Sequence, residues 1–351
     1  MKLSEIVQRI NGNIDRFTTE LEFYIGGEHM ESSELEISNR GLLKENLGKL
    51  GFKFHFAFQE RDVLFMARNP HLRKAGMVMF SGLCSDATYV LRSKDENIIS
   101  QEFLAIQLQT DHFWDYCERT KVGSVNFANN WSSIANYDFD LPPINIQKEV
   151  ASKVWSAYRV KQSYRKLLNA IDEMVKSQFI EMFGSRDFLK RLGDYVSVKT
   201  GKLDANASVE GGRYPFFTCA EKTLSIDTYA FDCNAVLLAG NGEFCVKHYD
   251  GKFNAYQRTY VIESKDESIL STKYLYAWLK DYANILKANA IGGVIKYIKL
   301  GDIINAQINL PSQDRQLEYV KIYEQADKSK FELKKSIEAI DKVIKSIINN
   351  I

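Results

Sequence analysis

Proline is scarce in this chain, with 5 in 351 residues, so no proline-rich linker separates its domains and regular structure must join them. No run of about 18 apolar residues occurs, so no membrane-spanning helix is expected. The start, MKLSEIVQRING, lacks the apolar core of a signal peptide. Cys84, Cys117, Cys219, Cys233 and Cys245 include no CxxC pair. An odd, scattered set of thiols fits a reducing, cytoplasmic setting and offers no tight spacing for zinc. Charge of one sign is also missing: 46 basic and 45 acidic side chains leave a formal charge of +1. A chain so balanced binds nucleic acid only if its cations gather on one face.

Catalytic motifs are equally scarce. A GxxxxGK[ST] phosphate loop is absent, so ATP-driven motion is not expected here. An amino-methyltransferase would carry Asn/Asp-Pro-Pro-aromatic. The nearest strings, Asn69-Pro70-His71-Leu72 and Leu141-Pro142-Pro143-Ile144, lack its essentials. Ala239-Gly240-Asn241-Gly242 has no βαβ unit around it and reads as a turn. His29, His55, His71, His112 and His248 form no HExxH or other ligand spacing. Asp138 and Asp140 precede a proline pair, more like a helix approach than a nuclease centre. No metal site and no catalytic residue are expected in this chain.

The chain repeats itself. Tyr89–Ser100 reads YVLRSKDENIIS and Tyr260–Ser271 reads YVIESKDESILS, 171 residues later, with most positions identical. Further matches follow in the same order. Val122-Gly123-Ser124-Val125 corresponds to Ile291-Gly292-Gly293-Val294, and Leu141-Pro142 with Gln147 corresponds to Leu310-Pro311 with Gln316. Upstream, Leu3, Glu5, Val7 and Gly12 echo Leu192, Asp194, Val196 and Gly201. A colinear series of this kind marks two copies of one unit.

Short β-branched and aromatic runs at 62–65, 88–91, 234–238 and 259–262 predict strands, and helices are expected at about 100–118 and 271–290. The stretches 67–86 and 239–257 read as loops. Each copy ends in a long helical segment. Leu333, Ile337, Ile340, Ile344, Ile347 and Ile351 form a heptad seam. Tyr164, Leu168, Ile171, Val175 and Met182 keep the same rhythm, interrupted at Gln178. Such helices pack either on their own domains or on each other as an antiparallel coiled coil. Equivalence of the two seams favours the second. The expected fold is α+β, with two pseudo-repeated domains joined by two long helices. The divisions are 1–145 and 187–312 for the domains, with helical spacers at 146–186 and 313–351.

Two α+β repeats, each closed by LPPINIQKEV (141–150) or LPSQDRQLEY (310–319) and then a long helix, resemble the specificity subunits of type I restriction–modification systems. Leu192-Gly193-Asp194-Tyr195-Val196 through Gly201 is similar to the usual domain opening of that family. The resemblance implies a non-catalytic target-recognition protein, each domain reading one half of a split site in double-stranded DNA. A helix of ~36 residues would span ~54 Å, or ~16 base pairs, and act as the spacer. Two methyltransferase subunits would dock on the matched elements Leu141, Pro142, Gln147, Leu310, Pro311 and Gln316, and restriction/translocase subunits would join them. S-adenosylmethionine, ATP and Mg would be held by those partners. Rival readings are a stand-alone DNA methyltransferase and a coiled-coil adaptor that binds only proteins.

Base reading needs Arg, Lys, Asn and Gln side chains at groove edges. In the first copy Arg68, Asn69, His71, Arg73 and Lys74 have that chemistry. In the second, Asn241, Lys247, Asn254, Tyr256, Gln257 and Arg258 have it, and both stretches lie between repeated strands. An ordinary solvated loop is the alternative; the repeat favours DNA contact. Asn126, Asn129, Asn130 and Lys296 follow the glycine elements and would either meet phosphates or cap and turn the chain.

Overall fold

A computed structural model of the protein describes residues 1–184, 189–242, 244–292 and 296–351. The boundary expected at 186/187 and Gly293-Val294 of the second glycine match lie outside the described residues. The chain divides into two compact units, Met1–Lys166 with Lys334–Ile351, and Leu167–Leu333. Among the described residues no helix is long and apolar enough to cross a membrane.

The first unit opens with α1 (Leu3–Ile6), β1 (Val7–Ile10), β2 (Phe23–Ile25), β3 (Glu36–Ile37), β4 (Gly41–Leu42) and α2 (Leu43–Asn46). It continues with β5 (Phe54–Phe58), β6 (Val63–Met66), β7 (Ala75–Val78), β8 (Gly82–Ser85) and β9 (Thr88–Ser93). Then come α3 (Gln101–Gln107), α4 (Asp111–Thr120), α5 (Trp131–Ala135) and the long α6 (Ile144–Phe183). Strand order is β1-β9-β6-β7-β3 in the main sheet and β4-β2-β8-β5 in a smaller one. The second unit contains β10 (Leu189–Arg191), β11 (Val196–Thr200), β12 (Tyr214–Phe217), β13 (Leu224–Ile226), β14 (Phe231–Ala239), β15 (Val246–Ala255) and β16 (Thr259–Ser264). It ends with α7 (Thr272–Asn289), α8 (Leu300–Ile304), β17 (Gln307–Asn309) and α9 (Gln313–Ile348). Its main sheet runs β11-β16-β14-β15-β12-β13, and β10 pairs with β17.

The repeat is thus a four-strand frame, β1-β9-β6-β7 in one unit and β11-β16-β14-β15 in the other. Ladder positions align it residue by residue. Leu91 faces Val63, which faces Met77; Ile262 faces Val236, which faces His248. Val63, Leu64 and Phe65 are wholly buried, as are Val236, Leu237 and Leu238: helices cover one face, and the other packs on the smaller sheet in the first unit and on Phe217, Phe253 and Ala255 of β12 and β15 in the second.

Two expectations need correction. The helix at 100–118 is two helices, because the Thr110 hydroxyl accepts the Phe113 N–H (3.1 Å) and donates to the Gln107 carbonyl (2.9 Å), starting a new helix. The second copy has Leu279-Lys280-Asp281 there, and α7 runs through. The stretches read as loops hold β7, β8 and β15. The outer half of β15 is half-exposed and carries Lys247, His248, Asp250 and Lys252, a polar text that conceals a strand.

Both long helices begin behind proline, as expected. In the first unit Val154, Trp155 and Tyr158 of α6 share a core with Ile344 and Ile348 of α9. Burying each isoleucine contributes about 1.5–3 kcal/mol. Lys161 meets Asp341 at 2.7 Å. In the second unit Val175, Met182 and Phe183 pack with Tyr319, Val320, Tyr323 and Ala326, and Asp172 meets Lys330 at 2.8 Å. Numbers rise on one helix as they fall on the other, so the pairing is antiparallel. The seam residues Ile340, Ile344 and Ile347 also touch the domain core, so the two packing modes foreseen for these helices coexist.

Candidate nucleic-acid interface

The matched residues build the frame of each unit. The Gln147 side chain accepts the Ser100 N–H (3.2 Å) and donates to the carbonyls of Ile98 and Pro142, both at 2.8 Å. Gln316 does the same with Ser271 (3.0 Å), Ile269 (2.7 Å) and Pro311 (2.9 Å). Lys94 reaches the Ser4 carbonyl, and Lys265 those of Gly193 and Asp194, which ties the repeated motif to each domain opening. Both glutamines are 0% exposed. Their side chains hold the Leu-Pro element in place from inside and offer no surface to a partner, which corrects the direct-docking reading for these two residues. Leu141, Pro142 and Leu310 are half-buried, and Pro311 is buried.

At one end of the first unit the predicted DNA residues separate. Arg68, Asn69 and His71 are exposed on the connector after β6. Asn69 takes a left-handed conformation (φ 53°), a backbone that asparagine tolerates well, and starts the turn Pro70–Leu72. Arg73 turns inward to Asp111 (2.5 Å), and Lys74 donates to the Gly27 carbonyl (2.6 Å). The Arg73 hydrogen bond comes first among the causes that hold the Asp111 carboxyl below its ordinary pKa. Arg68 pairs through its backbone with Ala128, which closes a hairpin with Val122. Gly123 makes that hairpin's turn at φ 106°, a conformation suited to glycine. Asn129 is buried and donates to the Cys117 carbonyl (2.8 Å), so it is structural, while Asn126 and Asn130 are exposed.

A ladder of main-chain bonds extends this end: Asn69 to Phe127, Asn129 to Ala67, Ala67 to Ala87, and Asp86 to Lys53. It brings in Phe52, 81% exposed, and Val125, 83% exposed. Arg16 clamps the Phe52 loop by donating to the Leu50 carbonyl (2.8 Å) and to that of Gly51, and stacks on the exposed Phe17. Sequence reading missed these aromatics, since a lone phenylalanine between glycine and lysine looks like core.

The second unit repeats the geometry with other side chains. Asn241, after β14, pairs with Tyr297, which also pairs with Ile291, as Arg68 pairs with Ala128. The Gly240 N–H donates to the Arg258 carbonyl (2.8 Å), the counterpart of Ala67 to Ala87. A Cβ on Gly240 would stand 2.6 Å from that carbonyl, so glycine is required there. Half-buried Asn241 and Tyr256 and exposed Lys296, Gln257 and Arg258 therefore converge. Both stretches do lie between repeated strands, but their residues are not matched one by one: Asn241 stands at the Arg68 position, and Tyr256–Arg258 form a separate turn. Lys247 and Asn254 lie on β15. Lys247 donates to the Ala220 carbonyl (2.8 Å), and burial lowers its pKa. Asn254 is 4% exposed, donates to the Thr228 carbonyl (3.4 Å) and accepts the Ala255 N–H (3.0 Å), so it holds the fold.

Residues 1–172 and 189–341 match the model of the type I restriction modification DNA specificity domain. Over 125 residues the chain is 50% identical to the type I restriction enzyme EcoDI specificity subunit of Escherichia coli, a match taking in 36% of this chain and 28% of that protein. The fold resembles the S subunit of a type I restriction-modification system from M. genitalium, with TM-score 0.64 and 12% identity over 99% of this chain and 94% of that one. It also resembles a chain from a structure on complex assembly and conformational transition of the type I R-M system, with TM-score 0.54 and 16% identity over 99% and 96% of the two chains. With its two copies each matched in turn, the chain belongs to the type I restriction modification DNA specificity domain family.

Proposed function

We propose that this chain is the target-recognition subunit of a type I restriction–modification complex acting in the cytoplasm. Each unit reads one half of a bipartite site in double-stranded DNA, and the paired helices set the spacing. The observation that carries this reading is the contrast between the two ends of the repeat. Frame bonds such as those of Gln147 and Gln316 are the same twice, whereas the positions held by Arg68 and Ala87 at one reading end are held by Asn241 and Arg258 at the other. Two different half-sites held on one frame need this arrangement. We assign the chain no catalytic residue, cofactor or metal of its own; S-adenosylmethionine, ATP and Mg belong to its methyltransferase and restriction/translocase partners. Exposed apolar side chains on the helices support partner docking: Val160 and Val343 in the first unit, Leu167, Met174, Ile180 and Leu317 in the second. A protein-only adaptor would not need paired reading ends of different chemistry.

Sequencing of the methylome in a strain with and without the gene tests the proposal. Deletion is expected to abolish one bipartite methylated motif. An unchanged methylome beside an active cognate methyltransferase would refute it.

A further inference from the structure

The two units differ at one edge of the frame. In the first, the segment Ser33–Ile37 runs along β7: Met77 donates its N–H to the Leu35 carbonyl (2.8 Å), and Leu35 is buried. Trp155 and Tyr158 of α6 close over it, with the Tyr158 hydroxyl on Glu34 (2.9 Å). The ladder makes His248 the counterpart of Met77. Counting from Gln147 and Gln316 makes Glu324, Asp327 and Phe331 the counterparts of Trp155, Tyr158 and Gln162. These residues line a cleft of about 380 Å³ with Lys273, Tyr276, Tyr323 and Lys328. The strand that would cover it has no counterpart: Phe216 pairs with Asn254 as Tyr24 pairs with Leu83, so β12 and β13 match β2 and β4, and the short connection between them carries nothing like β3.

The Ala239 N–H donates to the Cys245 carbonyl (3.0 Å), which fixes the phase of the β14–β15 ladder. By alternation the His248 N–H then points away from β14. Among the described residues no hydrogen bond from that side reaches it. The groove therefore combines a free strand edge, an aromatic wall of Tyr276 and Tyr323, and Phe331, which is 64% exposed. In the lining Glu324 and Asp327 balance Lys273 and Lys328, with Lys273 paired to Glu324 at 2.7 Å, so the groove holds no surplus of cations for a phosphate backbone and DNA is a poor occupant.

We propose that this groove takes an extended segment of one methyltransferase subunit, which adds a strand beside His248 and sets a large apolar side chain on Tyr276, Tyr323 and Phe331. It does for the second unit what Ser33–Ile37 does for the first. The segment's chemistry follows from the first unit, where an extended chain with a leucine fills the equivalent place. Its source follows from the wall that α9 supplies, since the helices carry the proposed methyltransferase docking face. The inference rests on the complex proposed above. Because the first groove is already filled, only one of two docked subunits would engage in this way.

Hydrogen exchange on the full chain, alone and reconstituted with its methyltransferase subunit, tests it. The His248 amide is expected to exchange rapidly in the free chain and to slow by about tenfold or more on assembly, while Met77 is slow in both. Phe331→Asp, at an exposed position, is expected to reverse the protection and weaken retention of one subunit in native mass measurements. A complex with two bound subunits and an unprotected His248 amide would overturn the groove alone and leave the recognition role standing. Protection that appears only with DNA or with restriction subunits would overturn the choice of occupant. Failure of the methyltransferase to bind the wild-type chain at all would overturn both readings.

Discussion

The first unit fills its strand edge with its own chain and buries an ion cluster there; the second leaves the same edge open and keeps its ion pairs at the surface. Glu34 accepts from Lys161 (3.0 Å), Arg165 (2.8 Å) and Tyr158 (2.9 Å) in the first unit. The ion pairs along the same edge of the second, Lys273–Glu324 and Lys280–Asp327, are half in solvent. The lesson is where a duplicated fold tolerates divergence. Bonds that close the frame are identical in both copies, while the reading ends and this one edge have changed.

Removal of Glu34 should break the comparison most severely. Glu34→Ala leaves Tyr158 and the buried side of Lys161 without their partner, at a cost of about 3–5 kcal/mol. The loss should appear in the first unit's exchange protection and not in the second's. Burial alone would raise the Glu34 carboxyl, but Arg165 and Lys161 together hold it below its ordinary value. A carboxylate with a depressed folded pKa stabilises fully above its unfolded pKa and loses that contribution as pH falls through the folded one. Acid unfolding monitored by exchange should therefore begin in the first unit. Equal acid sensitivity of the two units would contradict this account.

The glutamines should sharpen the comparison from the other side. Gln147→Ala and Gln316→Ala each orphan three main-chain groups, for roughly 2–4 kcal/mol. Because the bonds match, the two losses should agree to within about 1 kcal/mol in denaturant unfolding. A large disparity would mean that the frames are not equivalent.

Much of this architecture was legible in the residues. Strand texts such as Val63–Met66 and Tyr260–Ile262 are apolar on both faces, and the heptad rhythm betrayed the helices. What stayed hidden depends on contacts distant in sequence. Nothing in Ser32-Ser33-Glu34 announces a partner 127 residues away on α6. Arg73 and Lys74 look like DNA ligands until the fold turns them toward Asp111 and Gly27. The matched glutamines suggested a shared partner, whereas their cause is internal: main-chain groups at a buried turn need the same amide twice. Polar β15 passed for a loop because its outer half lies at a half-covered edge.

The smallest expected effects lie at the reading ends, where Arg68 and Arg258 occupy positions that are not equivalent. Arg68 has Asn241 as its counterpart, and Arg258 has Ala87. Neither guanidinium has a side-chain partner among the described residues, so both are available to a ligand. Arg68→Ala should alter only the half-site read by the first unit, and Arg258→Ala only the other. If the arginine reads a base, the change should relax one position by about 1–3 kcal/mol; if it holds a phosphate, all sequences should weaken alike and the salt slope should fall by about one. Competitive binding of the assembled complex to DNA with each half randomised in turn separates these outcomes. Stability should be unaffected, since each side chain stands in solvent. A substitution in one unit that shifts preference in the other half would mean that the readers are coupled through the frame, and the independence inferred from the repeat would fail.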